Sequence, residues 1–232
     1  MAQALVAGLI LAAACAPQPS PDGFVRIFDG ETLAGWRAVP EQLRQSWSVQ
    51  DGAIQGHGLE DRLAYLVYAG DEDLGNFELK IRYKMLTDGN TGIEVRGRPD
   101  ATAKRPFEGY HADLGHVGIG PGILGAWDLH FATRKEFPGR RGMRLLIEQD
   151  GQGRLESLEG HIQVGDIAVR GWNSCRIVAR GDHLQFFING LLSSELIDRG
   201  DAGRLNRGLV ALQIHDKGTV VQFRDILLRR LL

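Results

Sequence analysis

"FELKIRYKM", residues 77–85, decides the fold class. Phe77, Leu79, Ile81 and Tyr83 alternate with Glu78, Lys80, Arg82 and Lys84. Successive side chains of a strand point to opposite faces, so a period of two describes a strand with one face in a core and the other in water. "CRIVARGDHLQFFING" (175–190) repeats it as strand, turn, strand, with Gly181-Asp182 at the bend. "MRLLIEQDGQGRLESLEG" (143–160) offers another pair around Asp150-Gly151, and "GLVALQIHDKGTVVQFRDILL" (208–228) a further one around Asp216-Lys217-Gly218. Helical periodicity is poor, and only 40–46 and 128–137 leave room for a short helix or turn. Turn signals every ten residues or so predict an all-β fold, a two-sheet antiparallel sandwich. Charged outward rows such as Lys80, Arg82 and Lys84 protect its edges.

The 232 residues suffice for one domain with a sizeable core. A net charge of −2 gives no reason to expect nucleic acid or an anionic membrane as partner. The first residues stand apart. "ALVAGLILAAAC" (4–15) is an uncharged apolar run, too short to span a bilayer comfortably, and the Pro-rich "APQPSP" follows. It reads as a signal peptide with a short linker over 1–22, ahead of a single domain over 23–232. Cys15 behind three alanines resembles a lipoprotein cleavage box, which would leave a lipid anchor on Cys15. Ordinary signal-peptidase cleavage near Ala14 or Ala16 is the alternative. Either predicts an exported protein, periplasmic or held at a membrane. Cys175 then remains as a lone thiol facing the core.

Some motifs carry little weight. "GPGILG" (120–125) matches a dinucleotide fingerprint but lacks the strand–turn–helix setting. Arg-Gly-Asp occurs at 180–182 and 199–201, where it is turn chemistry. No nucleophile elbow, zinc-protease helix or paired-cysteine motif is found.

Alternation says which polar residues share a face. In "NTGIEVRGR" (90–98), Ile93 and Val95 point one way, so Glu94 and Arg96 share the other. In "GYHADLGH" (109–116), Tyr110, Ala112 and Leu114 form the less polar row, leaving His111 and Asp113 together. In "ALQIHD" (211–216), Gln213 and His215 lie opposite Leu212 and Ile214. Most antiparallel sheets have a solvated face, and a polar row there needs no function. These rows, however, hold imidazoles, carboxylates, a guanidinium and an amide, a mixture suited to sugar recognition and proton transfer. His111 and Asp113 also offer two metal ligands on one face. His57 and His130 are further candidates whose facing alternation leaves open. Trp127, beside a Gly-rich loop, is the ring best placed to stack on a sugar, with Tyr110 and Gln213 as further contacts; Trp47 and Trp172 read as core.

Taken in order, "FVRIFDGETLAGWR", "WSVQDGAI", "NFELKIRYK", "NTGIEVR", "GYHADL", "WNSCRIVARGDHLQFFING" and "GLVALQIHDKGTVVQFRDILLR" resemble the 3-keto-disaccharide hydrolase domain family over nearly all of residues 23–232. The resemblance implies a concanavalin A-like jelly roll, often exported by bacteria, that cleaves glycosides whose sugar is oxidised at C3. A ketone there acidifies the proton on C2; its removal gives an enediolate, and the group on C1 leaves. Such a site needs a base, a positive charge at the C3 oxygen and an acid for the leaving group. The expected base is His111 or His215. The positive charge is either Arg96 or a divalent metal ion held by His111, Asp113 and Glu94. Glu94 is the expected acid. The rival expectation is a lectin-like carbohydrate-binding module, since fold does not fix function.

Overall fold

The computed structural model describes residues 20–115, 122–132, 134–135, 137 and 139–232. Cys15, His116, Gly118, Gly120 and the leader segment up to residue 19 lie outside the described residues. The strands are β1 (Val25–Arg26), β2 (Trp36–Val39), β3 (Trp47–Gln50), β4 (Ala53–His57), β5 (Ala64–Tyr68), β6 (Phe77–Met85), β7 (Thr91–Pro99) and β8 (Phe107–Asp113). There follow β9 (Trp127–His130), β10 (Met143–Ile147), β11 (Gly153–Ser157), β12 (Asn173–Arg180), β13 (His183–Ile188), β14 (Leu191–Asp198), β15 (Leu209–Ile214) and β16 (Val220–Arg230). A 3₁₀ turn covers Glu41–Ser46, within the 40–46 stretch. The other flagged stretch, 128–137, instead begins with the end of a strand, β9. Four residues are too few for alternation to register.

Two sheets form. One runs β11-β10-β14-β13-β12-β6-β16-β4-β3 with β1 on β16; the other runs β2-β5-β15-β7-β8-β9. Pairing is antiparallel except between β10 and β14, which run parallel. β12/β13 and β10/β11 are the expected hairpins. The turn at 216–218 differs from expectation. β15 and β16 do not pair; the turn carries the chain from one sheet to the other.

The core lies between the sheets. β6 places Phe77, Leu79, Ile81 and Tyr83 there, all essentially inaccessible, against residues such as Ile93, Leu212 and Phe186. Burying each such side chain contributes about 1.5–3 kcal/mol. Cys175 is free and buried in this layer. The outer row of β6 stays polar, though Glu78 is buried between Arg176 and Arg229. In the six-stranded sheet the outer face is not an ordinary wetted face: every residue of β8 and of β15 is buried. A second apolar cluster of Tyr65, Val67, Phe107, Leu209 and Ala211 covers part of that face. The remainder is polar.

Candidate functional site

Four neighbouring strands, β15, β7, β8 and β9, build the polar part. Across the sheet, Ala211 on β15, Glu94 on β7, His111 on β8 and Asp128 on β9 stand in one row. The next row is Tyr65, Gln213, Gly92 and Asp113. On the other side, His130 pairs with Gly109. Small residues alternate with large polar ones, and that leaves space for the side chains to lean together. A Cβ on Gly92 would lie 2.2 Å from His111 Nε2, and one on Gly109 2.5 Å from Glu94 Oε1. Neither glycine has a positive φ. They are needed for room rather than for conformational freedom.

Glu94 is fully buried, and its Oε2 meets two imidazoles: His111 Nδ1 at 3.2 Å and His130 Nδ1 at 2.9 Å. The rings stack at 4.5 Å with 21° between their planes. Their Nε2 atoms turn to two further carboxylates, His111 to Asp113 at 3.6 Å and His130 to Asp128 at 3.4 Å. Burial alone would raise the Glu94 pKa, but the His130 charge and hydrogen bonds from both imidazoles hold it at about 2. Burial opposes charge on His130, yet Glu94 and Asp128 outweigh it and lift that imidazole to about 10. Asp113 goes the other way: burial, with Asp128 nearby and against the pull of His111, pushes it up to about 6.

These groups floor a cavity of about 580 Å³, within the range of small-molecule sites, whose walls include His111, Asp113, Asp128, His130, Gln213 and His215. Arg105 and Asn90 complete it. Three acceptors here, Glu94 Oε1, Asn90 Oδ1 and Gln213 Oε1, are buried without a hydrogen-bond partner among the described residues. Such groups cost free energy until a donor arrives, and sugar hydroxyls or a cation would satisfy them. Ligand atoms of Glu94, His111 and His130 lie within 4.8 Å of one another, a group that could hold a metal ion. Two imidazoles and a carboxylate with a spare oxygen suit a divalent ion.

Of the residues anticipated from sequence, Glu94, His111, Asp113, Gln213 and His215 converge here. His215 sits exposed at the rim, its Nδ1 2.6 Å from Asp216. Glu94, held ionised beneath the imidazoles, is unsuited to the acid role and instead orients them. Four residues lie elsewhere. Arg96 has φ 51° at a bulge between Val95 and Arg98, which turns its side chain off the face of Glu94. Its guanidinium donates to the carbonyls of Gly75, Gly181 and Leu205, bracing loops. Tyr110 points into the core and donates to Asp198 at 2.5 Å. Trp127 is buried against Phe186, so it has no free face for a sugar. His57 is exposed at the end of β4, on the other sheet. His130, Asp128 and Arg105 joined the site without a strong sequence signal, although "WDLH" does put Asp128 and His130 two apart on one face.

Residues 23–229 match the family described as 3-keto-alpha-glucoside-1,2-lyase-like domain. A 3-keto-disaccharide hydrolase of Bacteroides thetaiotaomicron is 35% identical over 77 residues, which span 31% of this chain and 27% of that protein. Among solved structures, a candidate glycosyl hydrolase from Parabacteroides distasonis superposes with TM-score 0.59 at 18% identity, covering 90% of this chain and 94% of that one. The carbohydrate binding module CBM66 of Bacillus subtilis gives 0.51 at 16%, covering 84% and 95%. At such identities these structures speak for the fold alone, a jelly-roll sandwich of the concanavalin A type.

Proposed function

The chain belongs to the 3-keto-alpha-glucoside-1,2-lyase-like domain family, and on that premise we propose that it cleaves glycosides oxidised at C3 by elimination across C1 and C2. The observation that carries this reading is the Glu94–His111–His130 cluster, with Asp113 beside it, at the floor of a cavity of sugar size. Asp113 takes the proton from C2. Its raised pKa makes it a stronger base than an ordinary carboxylate while leaving it ionised at neutral pH. Negative charge then develops on the C3 oxygen. His130, kept as an imidazolium by Glu94, and the Arg105 guanidinium supply positive charge for it. The electron pair returns to expel the oxygen on C1, which receives a proton from His215; water then adds across C1=C2, its hydroxyl to C1 and its other proton to His215, while Asp113 returns its proton to C2, which completes net hydrolysis. A divalent cation held by Glu94, His111 and His130 would supply Lewis-acid polarisation at the C3 carbonyl. The orphan acceptors Asn90 Oδ1 and Gln213 Oε1 would take hydroxyl protons of the sugar. Export, with or without a lipid on Cys15, is part of the same proposal.

The test is release of the aglycone from a 3-keto-α-glucoside, followed together with exchange of the C2 proton in deuterated buffer. Asp113→Asn abolishes both if the reading is right. Dialysis against a chelator distinguishes an imidazolium site from a metal site. Sugar binding without turnover in the wild-type protein would reduce the chain to a carbohydrate-binding module.

A further inference from the structure

A second hollow, of about 460 Å³, adjoins the first, and the two share Leu63 and Arg105. Its chemistry is different. Val39, Pro40, Leu63 and Pro106 give it apolar walls, and Arg62, Lys104 and Arg105 give it cations. Its only carboxylate among the described residues, Asp100, is occupied. It accepts from the backbone amides of Thr102 and Arg105 and from the Thr102 hydroxyl, and so shapes the loop that presents Arg105. No aromatic ring, amide or hydroxyl lines the hollow among the described residues. A second neutral sugar would find no stacking platform there and, with Asp100 engaged, no side-chain acceptor for its hydroxyl protons, only the cationic donors.

We infer that this hollow is the aglycone subsite and that it takes a flat apolar group bearing an anionic substituent, such as a phenol carboxylate. The inference rests on the function proposed above. With the oxidised sugar over Glu94, His111 and His130, the glycosidic bond crosses at Arg105 and Leu63, and the leaving group lies against Val39, Pro40 and Pro106. Arg105 then touches both halves of the substrate, while Arg62 and Lys104 meet only the aglycone. Glu60 pairs with Arg62 at 3.7 Å, but both side chains are half exposed, so that pair exchanges readily for a ligand carboxylate.

The experiment compares 3-keto-α-glucosides of 4-hydroxybenzoate, of phenol and of glucose, with calorimetric binding of free 4-hydroxybenzoate and phenol alongside. The expected order in kcat/KM is carboxyphenyl, then phenyl, then glucosyl. In the Arg62→Ala/Lys104→Ala double variant the carboxyphenyl-to-phenyl ratio falls roughly fivefold, what exposed ion pairs supply. Added salt lowers the same ratio in the wild-type protein. Equal turnover of the aryl substrates, or a preference for the glucosyl substrate, overturns the subsite while leaving the proposed reaction standing. If no 3-keto-glucoside is cleaved, the reaction falls, and binding decides the subsite by itself. Selective binding of 4-hydroxybenzoate, lost in the double variant, upholds it; equal or absent binding of the two phenols ends it.

Discussion

Two buried carboxylates, Glu94 and Asp198, sit on either side of one strand, β8, and their surroundings differ in one respect. Asp198 is saturated. Tyr110 donates to it at 2.5 Å, Arg134 at 2.6 and 2.8 Å, and the Gly200 amide at 3.1 Å. The Tyr110 hydroxyl accepts in turn from the Leu205 amide, so the network ties the six-stranded sheet to β14 and the following loop. Glu94 has two imidazole partners on one oxygen and none on the other, and its cluster opens on a cavity. A network with every lone pair used can only hold the fold. One with a spare acceptor and stacked imidazoles at a cavity floor can bind and move protons. Tyr110 and His111, adjacent in sequence, belong to different networks because strand neighbours face opposite ways.

Substitutions can break this contrast. After Asp113→Asn, the largest effect is expected from His111→Ala and His130→Ala, each lowering kcat of the folded fraction for a 3-keto-glucoside about 10³-fold, beyond the loss of stability that follows from leaving Glu94 with one imidazole partner. A large loss of stability with activity retained would reverse the roles assigned to the two clusters. Gly109→Ala forces a methyl toward Glu94 Oε1 and tests whether the glycines keep the cluster in place. It should reduce kcat roughly 10²-fold, the order expected for a misplaced catalytic group, while substrate binding persists. Asp198→Asn leaves the part-buried Arg134 without its counter-charge and should cost about 3 kcal/mol in denaturant unfolding, with kcat of the folded fraction unaltered. A kcat effect there would mean that the structural staple reaches the site. Tyr110→Phe, the mildest change, removes one hydrogen bond to that carboxylate and should cost about 1–2 kcal/mol. A change in KM from Tyr110→Phe would restore the substrate-contact role that sequence suggested.

Much of this was legible in the chain. The alternation in "FELKIRYKM" and "CRIVARGDHLQFFING" described strands and their inward rows correctly, because facing along a strand is a local property. The same logic puts Glu94, His111, Asp113, Gln213 and His215 in polar rows that do meet: the last four line the cavity and Glu94 lies beneath His111. The same logic failed for Arg96. A single bulged residue with a left-handed backbone inverts everything after it, and "EVRGR" carries no mark of it beyond Gly97. Trp127 looked like a sugar platform because a Gly-rich loop precedes it; the sheet order that packs it on Phe186 is not written in its neighbourhood. Trp172, read as core, is instead only partly buried, beside Arg82 and Arg224.

The sequence alone determined the period of two, the class of fold and which polar residues share a strand face, since each depends only on residues a few places apart. Tertiary structure decided that His130 completes the pair with His111, that Arg105 replaces Arg96 as the guanidinium in the site, and that Glu94 supports the imidazoles. Those outcomes depend on sheet order and register between segments far apart in the chain, where a shift of one residue would turn every one of these side chains to the other face.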